Sequence, residues 1–193
     1  MPSDLRKKKR LRTGWRCFAL ATCAVLISEL PAQKPVYSAT DEQVRAAFLY
    51  QLAQYVTWTE NKSREPLRFC VLGNDKLVDM LGEALQGKSI QERSLTVGKV
   101  SGLEQLAGCN VVFLSVGKRK QLQELLAHWS YPPVLLVGEM DGFAELGGMV
   151  NLKIDEGRVS IEINLNTVRR AGLDMRSQLL RLARIVPKAR GKP

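Results

Sequence analysis

The chain of 193 residues has one histidine, His128, so a histidine-rich metal site and a pair of catalytic histidines are both excluded. A Ser-His-Asp triad would have to rest on His128 alone, with no nucleophile motif beside it, which leaves a hydrolase a remote reading. Gly-x-Gly-x-x-Gly does not follow the first apolar run, where Gly73-Asn74-Asp75 reads as a plain turn, so dinucleotide binding lacks its phosphate cradle. No Walker-type loop is expected either. The four cysteines include no Cys-x-x-Cys, which disfavours a redox enzyme. No apolar stretch approaches the roughly 20 residues that a membrane-spanning helix needs.

What the chain does have is charge of one sign: 29 Lys and Arg against 19 Asp and Glu, a formal net of +10. Such an excess invites a nucleic-acid reading, but its distribution argues otherwise. Residues 1–39 hold eight basic residues against Asp4 and Glu29, a net of +6. Residues 40–165 are slightly acidic at −3, and residues 166–193 carry eight basic residues against Asp174, a net of +7. Nucleic-acid binding needs a basic surface tracking phosphates, with aromatics for stacking; the body is acidic and the tail holds no aromatic residue.

The basic start runs into an apolar stretch at 17–27 (CFALATCAVLI), then Pro31 and small residues near Ala32 and Ala39. This order predicts a secretory signal peptide cleaved between positions 32 and 39, with the folded domain over 40–186 and a basic tail at 187–193. Lipidation at Leu20-Ala21-Thr22-Cys23 is the weaker reading, because Thr precedes the cysteine. Export removes Cys17 and Cys23 and leaves Cys70 and Cys109, an even count that in an oxidising compartment suggests a disulfide. Both sit in apolar strand-like runs, so two buried free thiols are the alternative.

Thr40 with Gln43 forms a capping-box signature that opens a helix to about Tyr55. Tyr50, Tyr55 and Trp58 cluster near its end. They read either as core packing, since Phe48, Leu52 and Tyr55 share a helical face, or as an aromatic patch facing a partner. Apolar runs then alternate with helical patterns: strand 67–72, helix 75–86 after Asn74, strand 94–100, a short helix after Ser101, strand 110–116, helix 118–129 and strand 134–138. A hairpin over 149–154 and 158–163 follows, and helical segments from 165 to 186 close the chain. The alternation predicts a single Rossmann-like α/β domain: a mostly parallel central sheet flanked by helices, a C-terminal β-hairpin and a basic amphipathic helix.

Three features are candidates for function. The loop 138–148 (GEMDGFAELGG) is glycine-rich and acidic, and serves either as a structural turn or in recognition. Glu162, opposite the hairpin's apolar face, and Arg169 and Arg170 shortly after it form either a charged pair offered to a ligand or partner, or a solvated ion pair. In the final helix Leu179, Leu180, Leu182, Ala183 and Ile185 lie among Arg176, Arg181 and Arg184, a pattern suited to peripheral contact with anionic lipid. His128 reads as the cap of its helix.

Several segments in order resemble the YfiR family: Ala46-Ala47-Phe48-Leu49-Tyr50 with Tyr55-Val56-Thr57-Trp58, Leu67-Arg68-Phe69-Cys70-Val71-Leu72-Gly73, Cys109-Asn110-Val111-Val112-Phe113-Leu114, and Ile163-Asn164 through Ala171-Gly172-Leu173 to Ser177-Gln178-Leu179-Leu180-Arg181-Leu182-Ala183. The resemblance implies a non-catalytic, cofactor-free periplasmic repressor with a Rossmann-like domain, often dimeric. Its implied partners are the periplasmic sensor part of an inner-membrane diguanylate cyclase, YfiN, which it holds inactive, and an outer-membrane lipoprotein of OmpA type, YfiB, which sequesters it. Repression keeps cyclic di-GMP and biofilm formation low, and sequestration of the repressor releases the cyclase. Cys70 and Cys109 match the family's disulfide pair. A second pair in relatives corresponds to about 144–151, where this chain has no cysteine, so a two-disulfide redox switch does not carry over. The alternative function is a periplasmic small-molecule sensor in which the 138–148 loop, Glu162 and Arg169 line a pocket.

Overall fold

In the computed structural model, the first helix begins where the sequence places its cap. α1 (Asp41–Gln54) starts at Thr40, whose hydroxyl accepts the Gln43 amide while the Gln43 side chain reaches back to the Thr40 amide. The reciprocal bonds satisfy amide groups that the first turn of a helix leaves without partners. The structure describes residues 39–58, 65–115, 117, 119–130, 132–156 and 158–187. The expected signal segment up to residue 38, with Cys17 and Cys23, and the tail from 188 lie outside the described residues.

After α1 come β1 (Val56–Trp58), β2 (Leu67–Leu72), α2 (Asp75–Leu85), β3 (Ser89–Ile90) and β4 (Arg93–Val100). A 3-10 segment (Leu103–Gly108) leads to β5 (Val111–Leu114), α3 (Arg119–Ala127) and β6 (Leu135–Gly138). The chain closes with β7 (Val150–Asp155), β8 (Arg158–Ile163), α4 (Leu165–Arg170), β9 (Leu173–Met175), α5 (Ser177–Leu180) and β10 (Arg184–Ile185). Asn74 caps α2 by accepting the Leu77 amide at 3.1 Å, as its position before the apolar period requires.

Eight strands form one mixed sheet in the order β10-β8-β7-β6-β5-β2-β4-β3. The five from β4 to β7 run parallel, while β7–β8 and β3–β4 are antiparallel. Every residue of β5 and β6 is buried, as their unbroken apolar runs demand of central strands covered on both faces. Along the parallel part of the sheet the strands lie in the order β4-β2-β5-β6-β7, so β2 is flanked by the two that follow it in parallel. Helix fills the crossovers β2 to β4 and β5 to β6, whereas a 3-10 segment and the irregular loop 139–149 make the other two. The fold is thus mixed α/β with a mostly parallel sheet. At the strand-order switch between β2 and β5, the Gly73 backbone abuts Ser115: a Cβ on Gly73 would lie 2.8 Å from the Ser115 carbonyl oxygen.

Cys70 in β2 and Cys109 just before β5 form a disulfide with Cα atoms 6.0 Å apart. It ties neighbouring central strands, and both residues are buried.

The C-terminal stretch corrects the expectation of a basic amphipathic helix. Gly172 turns with φ +68° and ends α4, and Leu173–Met175 then pairs antiparallel with Val56–Trp58 in a separate two-stranded sheet. After the single turn of α5, Arg184–Ile185 joins the edge of the main sheet beside Glu162–Ile163. Helical spacing of Leu179, Leu182 and Ile185 yields to backbone pairing with distant strands. Leu173, Met175, Leu179 and Val186 are buried, while Leu182 and Ile185 face outward.

Candidate functional site

The arrangement that gathers most of the candidate residues is a row across one face of the sheet. Asn151 in β7 stands opposite Glu162 in β8, and Glu162 stands opposite Arg184 in β10. Partners in register share a face, so the three side chains meet side by side. Asn151 is fully buried, donates its amide to Glu162 at 3.1 Å and accepts the Met140 backbone amide at 3.2 Å. The Glu162 side chain, 15% exposed, also accepts a hydrogen bond from the Arg184 guanidinium.

The loop 138–148 lies over this row. Phe143 is fully buried, and its ring fills the space beside two glycines: a Cβ on Gly138 or Gly148 would come within 2.3 Å or 2.2 Å of it. Small residues flank a large one so that a ring seats where the backbones approach. Ion pairs fix the loop at several points: Glu139 to Arg45 of α1 at 2.5 Å, Asp141 to Lys153 of β7 at 2.5 Å, and Glu145 to Arg184 at 3.8 Å. Asn164 donates to the Ala144 carbonyl at 2.8 Å while capping α4 through Thr167.

Burial alone would raise the Glu162 carboxyl, but the hydrogen bonds from Arg184 and Asn151 and the charges of Arg184 and Lys153 outweigh it and hold it below the ordinary glutamate range. The Arg184 guanidinium is correspondingly raised, first by its bond to Glu162. Asp141 and Lys153 stabilise each other's charged forms through their hydrogen bond, which lowers the carboxyl and raises the amine. The row is therefore a satisfied anionic carboxylate among cations. It has the chemistry of a positioning network, not of a proton-transfer site.

Glu162 thus pairs with Arg184, reached through a strand that the sequence pattern presents as helix. Arg169 and Arg170 occupy the last turn of α4, where cations complement the carbonyl end of a helix. Arg169 is exposed and lines an open cleft of about 440 Å³ with Thr57, Gly172, Leu173 and Asp174, on the β1–β9 side. Trp58 is 4% exposed and packs in the core from β1. Tyr55 is half-buried at the end of α1, and its carbonyl accepts the Arg176 amide at 2.9 Å. Trp58 thus belongs to the core, and Tyr55 packs against it partly buried. His128 sits just past α3 with Nδ1 2.9 Å from the Glu124 carbonyl, the position of a helix-end cap.

Sequence reasoning passed over Asn151, and placed Arg184 on the basic face of a final helix instead of beside Glu162. Asn151 had a signal, as one amide inside an apolar strand run. It also passed over residues 82–89, GEALQGKS, which match the spacing G-x-x-x-x-G-K-S of a Walker-type loop, contrary to the expectation that none is present. The structure shows why the match is not a phosphate cradle. A P-loop follows a strand and opens a helix, whereas Gly82 lies within α2 and Gly87, at φ +68°, follows its end. The helix turns its carbonyl end to the cleft there, Glu92 lines the same cleft, and the Lys88 ammonium beside it sits over the Tyr50 ring at 4.6 Å instead of closing a phosphate loop.

A family profile described as YfiR/HmsC-like matches residues 42–184, which spans α1 to β10 and contains every element of the row and its loop. The chain belongs to the YfiR/HmsC-like family. That family is regulatory and acts in cyclic di-GMP signalling. Among the described residues of this YfiR/HmsC-like chain no helix is long and apolar enough to cross a membrane, and no cluster of three or more His, Cys, Asp or Glu is placed to hold a metal.

Proposed function

We propose that this protein is a periplasmic repressor that binds the periplasmic sensor region of an inner-membrane diguanylate cyclase, keeps cyclic di-GMP and biofilm formation low, and is itself sequestered by an outer-membrane lipoprotein. Membership of the YfiR/HmsC-like family over residues 42–184 carries the reading. The Cys70–Cys109 disulfide supports an oxidising compartment, and the basic-apolar-small order of residues 1–39 supports export into it. A rigid domain whose charged row is neutralised within itself suits recognition by surface rather than by chemistry.

The test is binding of the purified protein to the isolated sensor region of the cyclase by titration calorimetry, with cellular cyclic di-GMP measured after deletion of the gene. Saturable binding and a rise in cyclic di-GMP are expected; absence of both overturns the proposal. The exposed Arg169 and Arg170 are the candidate contacts, and Arg169→Glu is expected to weaken binding at least tenfold with the fold intact. The small-molecule sensor reading has less support. Phe143 occupies the space under the loop, Glu162 is already neutralised by Arg184, and Arg169 faces a different cleft.

A further inference from the structure

From Leu95 to Val100, β4 is paired with β2 on one side and, among the described residues, with no strand on the other. β3 stands last in the sheet order and covers only Arg93 and Ser94. It is short because of the way the chain reaches it: Gly87, at φ +68°, turns out of α2, and the Lys88 amide bonds the Leu85 carbonyl at 3.0 Å, so the ladder begins only at Ser89. A bare strand edge is usually guarded by a free charge, above all lysine. Here the exposed side chain between Leu95 and Val97 is Thr96, and Lys99 is already engaged by Asp75 at 2.7 Å. The segment Leu95–Val97 is an unguarded edge.

A cleft of about 600 Å³ lies beside it, between the end of α2 and β4. Leu85, Leu95 and Val97 supply its apolar lining, and Gly82 leaves it open from the helix side, where a Cβ would meet nothing within 4 Å. A cleft with a row of unpaired backbone groups along one wall is the geometry of strand addition: the main chain of the occupant pairs with the edge, and alternate side chains enter the hollow.

The charge of the lining selects the occupant. Gln91 at φ +52° and Glu92 at φ +64° hold conformations that glycine favours, and the turn they form is pinned by the Gln91 amide to the Val56 carbonyl at 3.3 Å and by Arg93 Nε to the Glu65 carbonyl at 2.6 Å. Glu92 is thus fixed in the lining, and it has no ion-pair partner among the described residues. The other charged lining residue, Lys88, has its ammonium 4.6 Å from the centre of the Tyr50 ring on α1. The last turn of α2 holds no basic residue, so its carbonyl end adds to the sign of Glu92. A second copy pairing through the same edge would bring no free cation to it, because Lys99 is held by Asp75.

We propose that the outer edge of β4 at Leu95–Val97 and the cleft beside it accept an extended segment of a partner protein as an added strand, with small apolar residues at alternate positions and a lysine or arginine that meets Glu92. This goes beyond the regulatory reading, uses a different cleft from that of Arg169, and does not depend on that reading.

The experiment is titration calorimetry of the purified protein with the capped peptide acetyl-Lys-Val-Thr-Val-Thr-Val-Lys-amide, with the same peptide N-methylated at every internal amide, and with its glutamate counterpart in which both lysines are replaced. The proposal expects saturable binding of the first, at least tenfold weaker binding of the N-methylated peptide and clearly weaker binding of the glutamate one. Glu92→Lys should reverse the preference between the lysine and glutamate peptides. Gly82→Gln fills the cleft and should weaken binding at least tenfold without lowering the unfolding midpoint, since its side chain enters open space and a helix gains by losing a glycine. Binding of Gly82→Gln to the cyclase sensor region, measured in parallel, reports separately on the proposed regulation. Absence of saturable binding, equal binding of the N-methylated peptide, a lysine preference that Glu92→Lys leaves in place, or no effect of Gly82→Gln overturns the proposal. So does loss of a dimer by Gly82→Gln in sedimentation without peptide, which would assign the edge to a second copy of the chain.

Discussion

Glu162 and Arg184 face each other in register across β8 and β10, twenty-two residues apart in sequence, and their ion pair fastens the last strand to the sheet edge. Because the folded state favours the Glu162 carboxylate, this carboxyl releases its proton at a lower pH folded than unfolded. Its contribution to stability is therefore complete above the ordinary glutamate value of 4.5 and is lost as pH falls through the depressed folded value. Glu162→Gln is expected to cost about 1 kcal/mol at neutral pH, a modest figure because water screens the exposed Arg184 end. Urea unfolding checks this, and the difference between the two proteins should shrink as pH falls below the ordinary glutamate value of 4.5.

Phe143 and its glycines form a second testable unit. Phe143→Ala empties a fully buried site and is expected to cost about 3–5 kcal/mol. Gly148→Ala puts a methyl 2.2 Å from the ring and is expected to cost about 1–3 kcal/mol through overpacking. Since both effects meet in one cavity, they should not add: in the Phe143→Ala background Gly148→Ala becomes nearly neutral. A denaturant-unfolding cycle on the four proteins reads the coupling, and strict additivity would show that the ring and the glycine do not share the space.

These pairs mark where the sequence was legible. The capping box at Thr40 and Gln43, the Asn74 cap and the wholly apolar runs of β5 and β6 are local signals, and each element formed close to where its residues put it. The hairpin of β7 and β8 was equally plain, its strands paired from Val150↔Ile163 to Asp155↔Arg158. The segment after Gly172 was not legible, because its structure is decided by strands more than a hundred residues away in one case and about twenty in the other. A helical period in Leu179, Leu182 and Ile185 is real in the sequence but weaker than backbone pairing. Arg184 was hidden as the partner of Glu162 for the same reason, and the Phe143 plug because no local pattern says that two glycines will flank one ring.

The Cys70–Cys109 bond closes a loop of 39 residues. On the chain-entropy account such a cross-link destabilises the unfolded state by about 4 kcal/mol. Cys70→Ala with Cys109→Ala, or the wild-type protein held in reductant, should lose stability on that scale, read by guanidinium unfolding. Reductant should leave the double variant unaffected. If it shifts the variant as far as the wild type, the stabilisation lies elsewhere.

Asn164 supports two elements with one side chain: Oδ1 accepts the Thr167 amide at the start of α4, and Nδ2 donates to the Ala144 carbonyl in the loop. Asn164→Asp keeps the acceptor and removes the donor, so the cap survives while a buried carboxylate meets a buried carbonyl oxygen. Asn164→Ser keeps a cap and leaves the Ala144 carbonyl without its partner. Asn164→Ala removes both. Loss of a cap costs about 1 kcal/mol and a buried acceptor left unsatisfied about 1–3 kcal/mol, so Ser should be milder than Ala. Asp should cost less as the pH is lowered, because its folded carboxyl, pressed against a carbonyl in a buried site, favours the protonated form that can donate. Unfolding of the three variants across pH checks the order. An Asp variant as stable as wild type at neutral pH would show that the bond to Ala144 contributes nothing and that Asn164 acts as a cap alone.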